Sequence, residues 1–271
     1  MPRAVPTLIG LPWDAGSSFR RGAALAPPLI RAALESTAGN DWTESLLDLS
    51  APGHLADAGD LALSDDPAAA REAIEAGVAA VLADGGTPLA LGGDHSVSYP
   101  VLRALQRRQV RPTILHLDAH ADLYDEFEGD RFSHACPFAR IMEERLATRL
   151  VQVGIRTLTG HQREQARRFG VEVIDMRDWG SGARPAVEGP VYLSIDLDVL
   201  DPAFAPGVSH REPGGLGSRE VIGLIQGLRG SLVGADVVEL NPRQDPSGVT
   251  ATVAAKLVKE IAGRMLAPPP G

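Results

Sequence analysis

A chain of 271 residues with 44% hydrophobic and 23% charged residues has the composition of an ordinary globular domain, long enough to bury a sizeable core. Its net charge of −9 gives nucleic acid no basic surface, and no apolar run is long enough to span a bilayer. One cysteine, Cys136, excludes an intrachain disulfide, and MPRAVPTLIGLPW holds no signal-peptide core, so the expectation is a cytoplasmic protein without a membrane partner.

In chain order, Val5–Leu11 reads as a short strand, and Pro12–Ala26, rich in Gly and Ser, as a loop over the surface rather than a pocket rim. Pro27–Ser36 has helical spacing, and Glu35–Leu63 reads as irregular, with His54 structural or exposed. Asp66–Ala83 is a helix with Asp66 as its cap, followed by a strand over Pro88–Leu91 and a helix over Val97–Arg108. Strand Thr113–Asp118 leads into a polar loop, Asp122–Pro137, and a helix over Phe138–Leu146. Strand Arg149–Ile155, helix Gly160–Phe169, strand Val171–Asp175 and the connection Trp179–Gly189 come next. Strand Pro190–Leu197, loop Asp201–Gly217, helix Ser218–Leu228, strand Leu232–Leu240 and helix Thr250–Met265 complete the chain.

Strands alternate with helices, and LALGG, TILHL and VYLSI are almost wholly apolar, as in a sheet covered on both faces. The expected fold is a single α/β domain over residues 1–271, a three-layer α/β/α sandwich with a mostly parallel sheet. A TIM barrel is the rival, but the elements before Pro88 do not count out into eight βα units.

Three of the apolar runs end in metal-binding residue types. TILHLDAHADLY places Asp118, His120 and Asp122 at alternate positions, which in extended backbone face one side. PLALGGDHS ends in Asp94 and His95, and PVYLSIDLDVLDP ends in Asp196 and Asp198. A single D-x-H-x-D could be a solvated strand end, but three such ends share the sheet edge where α/β proteins build their sites. His95, Asp118, His120, Asp122, Asp196 and Asp198 are too many ligands for one catalytic zinc, and they suit two divalent ions. The oxygen-rich set favours Mn²⁺, and four Asp charges balance two such ions. Such a pair can activate water near neutral pH for attack on a planar carbon of a cationic substrate. His116, Asp94 and Asp201 are expected to orient ligands or loops rather than bind metal.

GGDHS, DAHADL and SIDLDVLDPAFAP resemble the signature motifs of the ureohydrolases, the arginase–agmatinase family. SSFRRGAALAPPLIR, SHACPFARIME, LVQVGIR, APGVSHREPGGL, GADVVELNP and TATVAAKLVKEI extend the likeness to plant-type arginases. The resemblance covers nearly the whole chain apart from Glu35–Asp65 and Asp178–Gly189. It implies an arginase-like α/β/α fold, two Mn²⁺ ions per chain, urea as product and a homo-oligomer, commonly a trimer or hexamer.

By the same resemblance, His134 would shuttle a proton to the leaving amine and Glu239 would pair with the substrate guanidinium, so that His134, Glu239 and Asp122 form the catalytic set. His210 and Asp130 would line the substrate site. An acid at Asp130, where plant-type enzymes carry Asn, would disfavour a substrate carboxylate, whereas Arg131 would act in the opposite sense. The substrates in order of expectation are L-arginine, agmatine and another guanidino acid. A one-metal zinc deacetylase and an inactive regulatory homologue are the other readings; the second acidic pair with His95, and the intact His134 and Glu239, argue against them.

Overall fold

The computed structural model describes residues 4–267. Its strands form one eight-stranded sheet in the order β2-β1-β3-β8-β7-β4-β5-β6, and every neighbouring strand pair in it is parallel. The strands are β1 (Val5–Gly10), β2 (Ala56–Asp60), β3 (Gly86–Leu91), β4 (Thr113–Leu117), β5 (Arg149–Ile155), β6 (Glu172–Asp175), β7 (Pro190–Asp196) and β8 (Ser231–Val238). The helices are α1 (Ala26–Leu34), α2 (Pro67–Ala83), α3 (Ser98–Arg107), α4 (Pro137–Glu143), α5 (Gly160–Phe169), α6 (Met176–Gly180), α7 (Ser218–Gln226) and α8 (Val249–Leu266). The sheet is open, with β2 and β6 at its edges, so the barrel alternative is excluded.

Alternation along the central strands divides the core into two layers. Leu115, Leu117, Leu193, Ile195 and Val237 pack with Ile30 of α1, Ile225 of α7 and Leu257 of α8. Ile114, Leu150, Tyr192 and Val238 pack with Ile74 of α2, Leu102 of α3 and Phe138 of α4. Covering both faces explains why β4 and most of β7 are buried end to end and lack the polar alternation of a one-sided sheet.

Two elements depart from the expectations. β2, ADAGD, lies inside the segment expected to be irregular. It is an exposed edge strand, held by parallel pairing to β1 and by Arg31, which bridges Asp57 and Asp60. With no apolar face to bury, it carries no hydrophobic signal. α6 spans the stretch after the expected strand and the first two residues of the expected connection, Trp179 and Gly180, and at its start the Asp175 carboxylate accepts from the Arg177 and Asp178 N–H groups.

The paired glycines after β3 are required by close backbone approach. A Cβ on Gly93 would lie 1.9 Å from the Trp13 carbonyl oxygen, and one on Gly92 would lie 2.5 Å from the Val238 Cα. Gly93→Ala is therefore expected to destabilise the fold by about 3 kcal/mol or more, since backbone on both sides must move. A urea-unfolding midpoint unchanged from wild type would refute this.

Candidate metal centre and substrate cavity

β3, β8, β7 and β4 are consecutive in the parallel sheet, so the residues after their C-terminal ends meet. After β3 the chain crosses Gly92 and Gly93, and Asp94 caps the turn that carries His95. β4 stops at Leu117, and the Asp118 Oδ1 then accepts from the His120 N–H at 2.6 Å. Asp122 has φ 48°. Asp118, His120 and Asp122 thus converge through a capped turn and a left-handed residue, not through continued strand alternation. At β7 the Asp196 carboxylate accepts from the Asp198 N–H at 2.8 Å, turning both acids toward the same space.

The six side chains form two groups that share one carboxylate. His95 Nδ1 lies 3.2 Å from Asp118 Oδ2, 3.2 Å from Asp122 Oδ2 and 3.3 Å from Asp196 Oδ2. His120 Nδ1 lies 2.9 Å from Asp198 Oδ2 and 3.5 Å from Asp118 Oδ1. Asp118 thus offers one oxygen to each group.

The hydrogen bonds behind His95 fix its tautomer. Asp236, an acceptor when ionised, is buried and receives the hydroxyls of Ser98, Tyr192 and Ser194 at 2.6–2.7 Å. Ser194, having given its proton to Asp236, accepts from His95 Nε2 at 2.9 Å. The proton of a neutral His95 ring is therefore on Nε2, and the lone pair of Nδ1 faces three carboxylates. Nδ1 is buried and makes no hydrogen bond despite those three short distances. Oxygens gathered around a nitrogen without hydrogen-bond alignment suit ligand atoms converging on a common cation.

The electrostatics agree. Burial pushes Asp196 well above the usual carboxylate range, and Asp198 and Asp118 push it further. Burial and Asp118 raise Asp198 to about 6 against the pull of His120. At His95 and His120 burial opposes protonation, yet the surrounding carboxylates outweigh it and raise both rings. The cluster thus carries more negative charge than its own side chains neutralise, and a divalent ion meets that demand without a proton. Asp118, His120 and Asp198 together could hold such an ion, as could His95 with Asp118. His116 is near enough to join them, but its Nε2 bonds Asp118 Oδ2 at 2.7 Å and its Nδ1 bonds Gln152 at 2.9 Å. Both ring nitrogens are engaged, which leaves His116 the orienting role expected of it.

A cavity of 210 Å³ opens over the cluster, lined by His120, Asp122, Asp196, Asp198, His134, His210 and Glu239 among others. Glu239 follows β8 with φ 65°, and its Oε1 accepts from the His95 N–H and from His134 Nδ1, each at 2.9 Å. A left-handed residue other than glycine is uncommon and tends to mark functional positions. Burial opposes the charged His134 ring, but Glu239, with Asp122 and Asp94, outweighs it and raises His134 to about 9. The His210 ring lies 5.2 Å from that of His134 and 5.9 Å from that of His120.

Asp130 does not reach this cavity. Its Oδ1 accepts from the Phe132 N–H at 2.7 Å, and it lines a separate cleft with Trp13 and Pro67. A tight turn pairing Phe127 with Asp130 carries it away, and Arg131 is bound to Asp125 and Glu143. The expectation that Asp130 lines the substrate site is therefore corrected. The surface reading of Pro12–Ala26 also fails. The Gly16 carbonyl accepts from the His134 N–H at 3.0 Å, and Ser18 Oγ bonds His134 Nε2 at 2.9 Å. Asp94 anchors this loop through Ser17, and Asp201 collects the N–H groups of Ala203, Gly214 and Gly215.

Sequence reasoning missed Ser18, Tyr124, Phe127, Thr157 and Gln162 in the lining. For Gln162 a signal was present: T-x-x-Q over Thr159–Gln162 is a capping box at the start of α5.

A family model described as the arginase family matches residues 5–263. The chain belongs to the arginase family. It is 48% identical to "Arginase 1, mitochondrial" of Arabidopsis thaliana, over 97% of this chain and 82% of that protein. The solved arginase from Medicago truncatula superposes with a TM-score of 0.91 at 44% identity, covering 97% of this chain and 87% of that one. The guanidinopropionase of Pseudomonas aeruginosa is 39% identical, over 94% and 84% of the two chains. This arginase-family protein is a metal-dependent hydrolase acting on C–N bonds of linear amidines. The expectation of a cytoplasmic protein is overturned, since the plant relatives are named mitochondrial. With a single cysteine, no intrachain disulfide can form in any compartment, so Cys136 does not discriminate between them.

Proposed function

We propose that this protein, a single domain over residues 1–271, converts L-arginine to L-ornithine and urea with two Mn²⁺ ions held by His95, Asp118, His120, Asp122, Asp196 and Asp198. The observation that carries this reading is the pair of imidazole–carboxylate groups sharing Asp118 beneath a cavity that also contains Glu239. The names of the plant relatives support arginine as substrate. When bound, the ions supply the Lewis acidity that makes water nucleophilic near neutral pH.

The chain's own residues position the substrate and move the proton. Glu239 Oε1 is occupied by His95 and His134, so Oε2 is the oxygen available to hold a guanidinium in the cavity. Glu239 as acceptor keeps a proton on His134 Nδ1, which makes Nε2, beside Ser18, the atom that exchanges a proton with the leaving amine. His210 forms part of the cavity wall next to His134.

Urea release from L-arginine, agmatine and 4-guanidinobutyrate tests the substrate. Arginine is expected to have the highest kcat/KM, and no urea from any of the three would reject the reading. Metal analysis after Mn²⁺ loading and desalting is expected to give two ions per chain; one ion with full activity would reject the binuclear site. The chain is further proposed to form a homo-oligomer, trimer or hexamer. Exposed Leu25, Leu29, Trp42 and Leu46 support this, and light scattering on the eluted protein checks it.

A further inference from the structure

Helix α5 opens beside the cavity, and its capping box leaves one polar group without a partner. The Thr159 hydroxyl accepts from the Gln162 N–H at 3.3 Å. In return, Gln162 Oε1 accepts from the Thr159 N–H at 3.1 Å and from its hydroxyl at 3.2 Å. Two donors on one oxygen fix the amide, because the flipped form would set its –NH₂ against the Thr159 N–H. Gln162 is 3% exposed and lines the cavity, and its Nε2 bonds no protein atom among the described residues. A free donor on a buried side chain thus borders the cavity at the positive end of a ten-residue helix.

The remainder of the lining gives this donor its importance. The carboxylates there are Asp122, Asp196, Asp198 and Glu239, and neither Lys nor Arg lines the cavity. His134, the ring raised to about 9, is held at Nδ1 by Glu239, so away from that pair a substrate anion must be received by neutral donors. We propose that Gln162, with the N-terminus of α5, receives the carboxylate end of the substrate, so that the enzyme selects guanidino acids over guanidino amines. The proposal rests on the reading above, in which Glu239 holds the guanidinium end. A substrate ending in ammonium would meet a donor and a positive helix end, and would gain nothing from either. Gln162 here is a specificity residue and takes no part in the proton transfer.

The test is steady-state urea release by wild type, Gln162→Glu and Gln162→Leu on L-arginine, 4-guanidinobutyrate and agmatine. Gln162→Glu keeps an acceptor for the Thr159 N–H, as capping boxes use Glu and Gln alike, so α5 stays capped. It should raise KM for both acids about 30-fold with kcat little changed, while kcat/KM on agmatine holds or rises. The arginine-to-agmatine ratio should then fall about 100-fold. Gln162→Leu should lower kcat/KM on the acids about 10-fold without a gain on agmatine. An unchanged ratio in Gln162→Glu, with wild-type circular dichroism and Tm, overturns the proposal even where Gln162→Leu fails to fold. Wild-type turnover of 4-guanidinobutyrate without arginine would sink the arginine reading and leave this proposal standing on the 4-guanidinobutyrate-to-agmatine ratio. Wild-type turnover of agmatine alone would overturn both.

Discussion

Replacing Glu239 by Gln is expected to lower kcat/KM on L-arginine by about 10³-fold while leaving metal content at the wild-type level. The carboxylate lies 4% exposed, and its orientation is dictated from behind. Oε1 accepts from the His95 N–H and from His134 Nδ1. A Gln side chain can keep those bonds only by placing its carbonyl oxygen in the Oε1 position. Its –NH₂ then takes the place of Oε2 and faces the cavity. A guanidinium, which only donates, would meet two further donors where it requires an acceptor. The loss is therefore a reversed contact as well as a missing charge, and it acts on the guanidinium in both ground and transition states. His134 would also lose the ionised neighbour that most favours its charged form, so the alkaline limb of the pH–rate profile should move to lower pH. Wild-type kcat/KM in the variant would remove Glu239 from the site, and a lower metal content would recast it as a support for His95.

Much of the candidate metal centre was legible because it is written in a local code. An apolar run that stops at two or three closely spaced acids or histidines gives a buried strand and its functional end together, as at Leu117–Asp122 and Ile195–Asp198. The eight-stranded order was not legible, since nothing local tells β3 to pair with β8, Leu89 opposite Ala235, so far along the chain. Glu239 was reached through resemblance. Its strand predicts a side chain alternating with Val238, and only the left-handed turn at φ 65° brings the carboxylate under His95 and His134. Asp130 misled for the converse reason, as the Phe127–Asp130 turn redirects a residue that is only four positions from His134. The loop Pro12–Ala26 has no apolar period to betray its role. Its part in the site is carried by the Gly16 carbonyl and the Ser18 hydroxyl, neither of which leaves a pattern in sequence.

Asp198→Asn is expected to abolish turnover by at least about 10³-fold and to lower Mn²⁺ from two ions per chain toward one, without unfolding the protein. Asp198 Oδ2 lies 2.9 Å from His120 Nδ1, and its Oδ1 accepts from the Ala119 N–H at 3.0 Å. Asn can keep the Ala119 bond through its carbonyl oxygen, which leaves an amide –NH₂ directed at His120 in place of a ligand oxygen. The stability argument has the opposite sign in the metal-free protein. Burial and Asp118 raise the Asp198 pKa to about 6, above its unfolded value, so the ionised group opposes folding. That penalty is absent below the unfolded pKa, grows as pH rises toward about 6, and is complete at neutral pH. Removing the charge lifts it, so metal-free Asp198→Asn should melt at or above the temperature of metal-free wild type at pH 7.5. Bound ions stabilise the native state by mass action, so the rise in Tm on adding Mn²⁺ should be large in wild type and much smaller in the variant. His120→Asn should follow the same pattern in metal content and turnover. Wild-type kcat in Asp198→Asn with two ions bound would show that the shared-carboxylate groups are not the metal centre, and a metal-free variant melting well below metal-free wild type would show that Asp198 serves the fold instead.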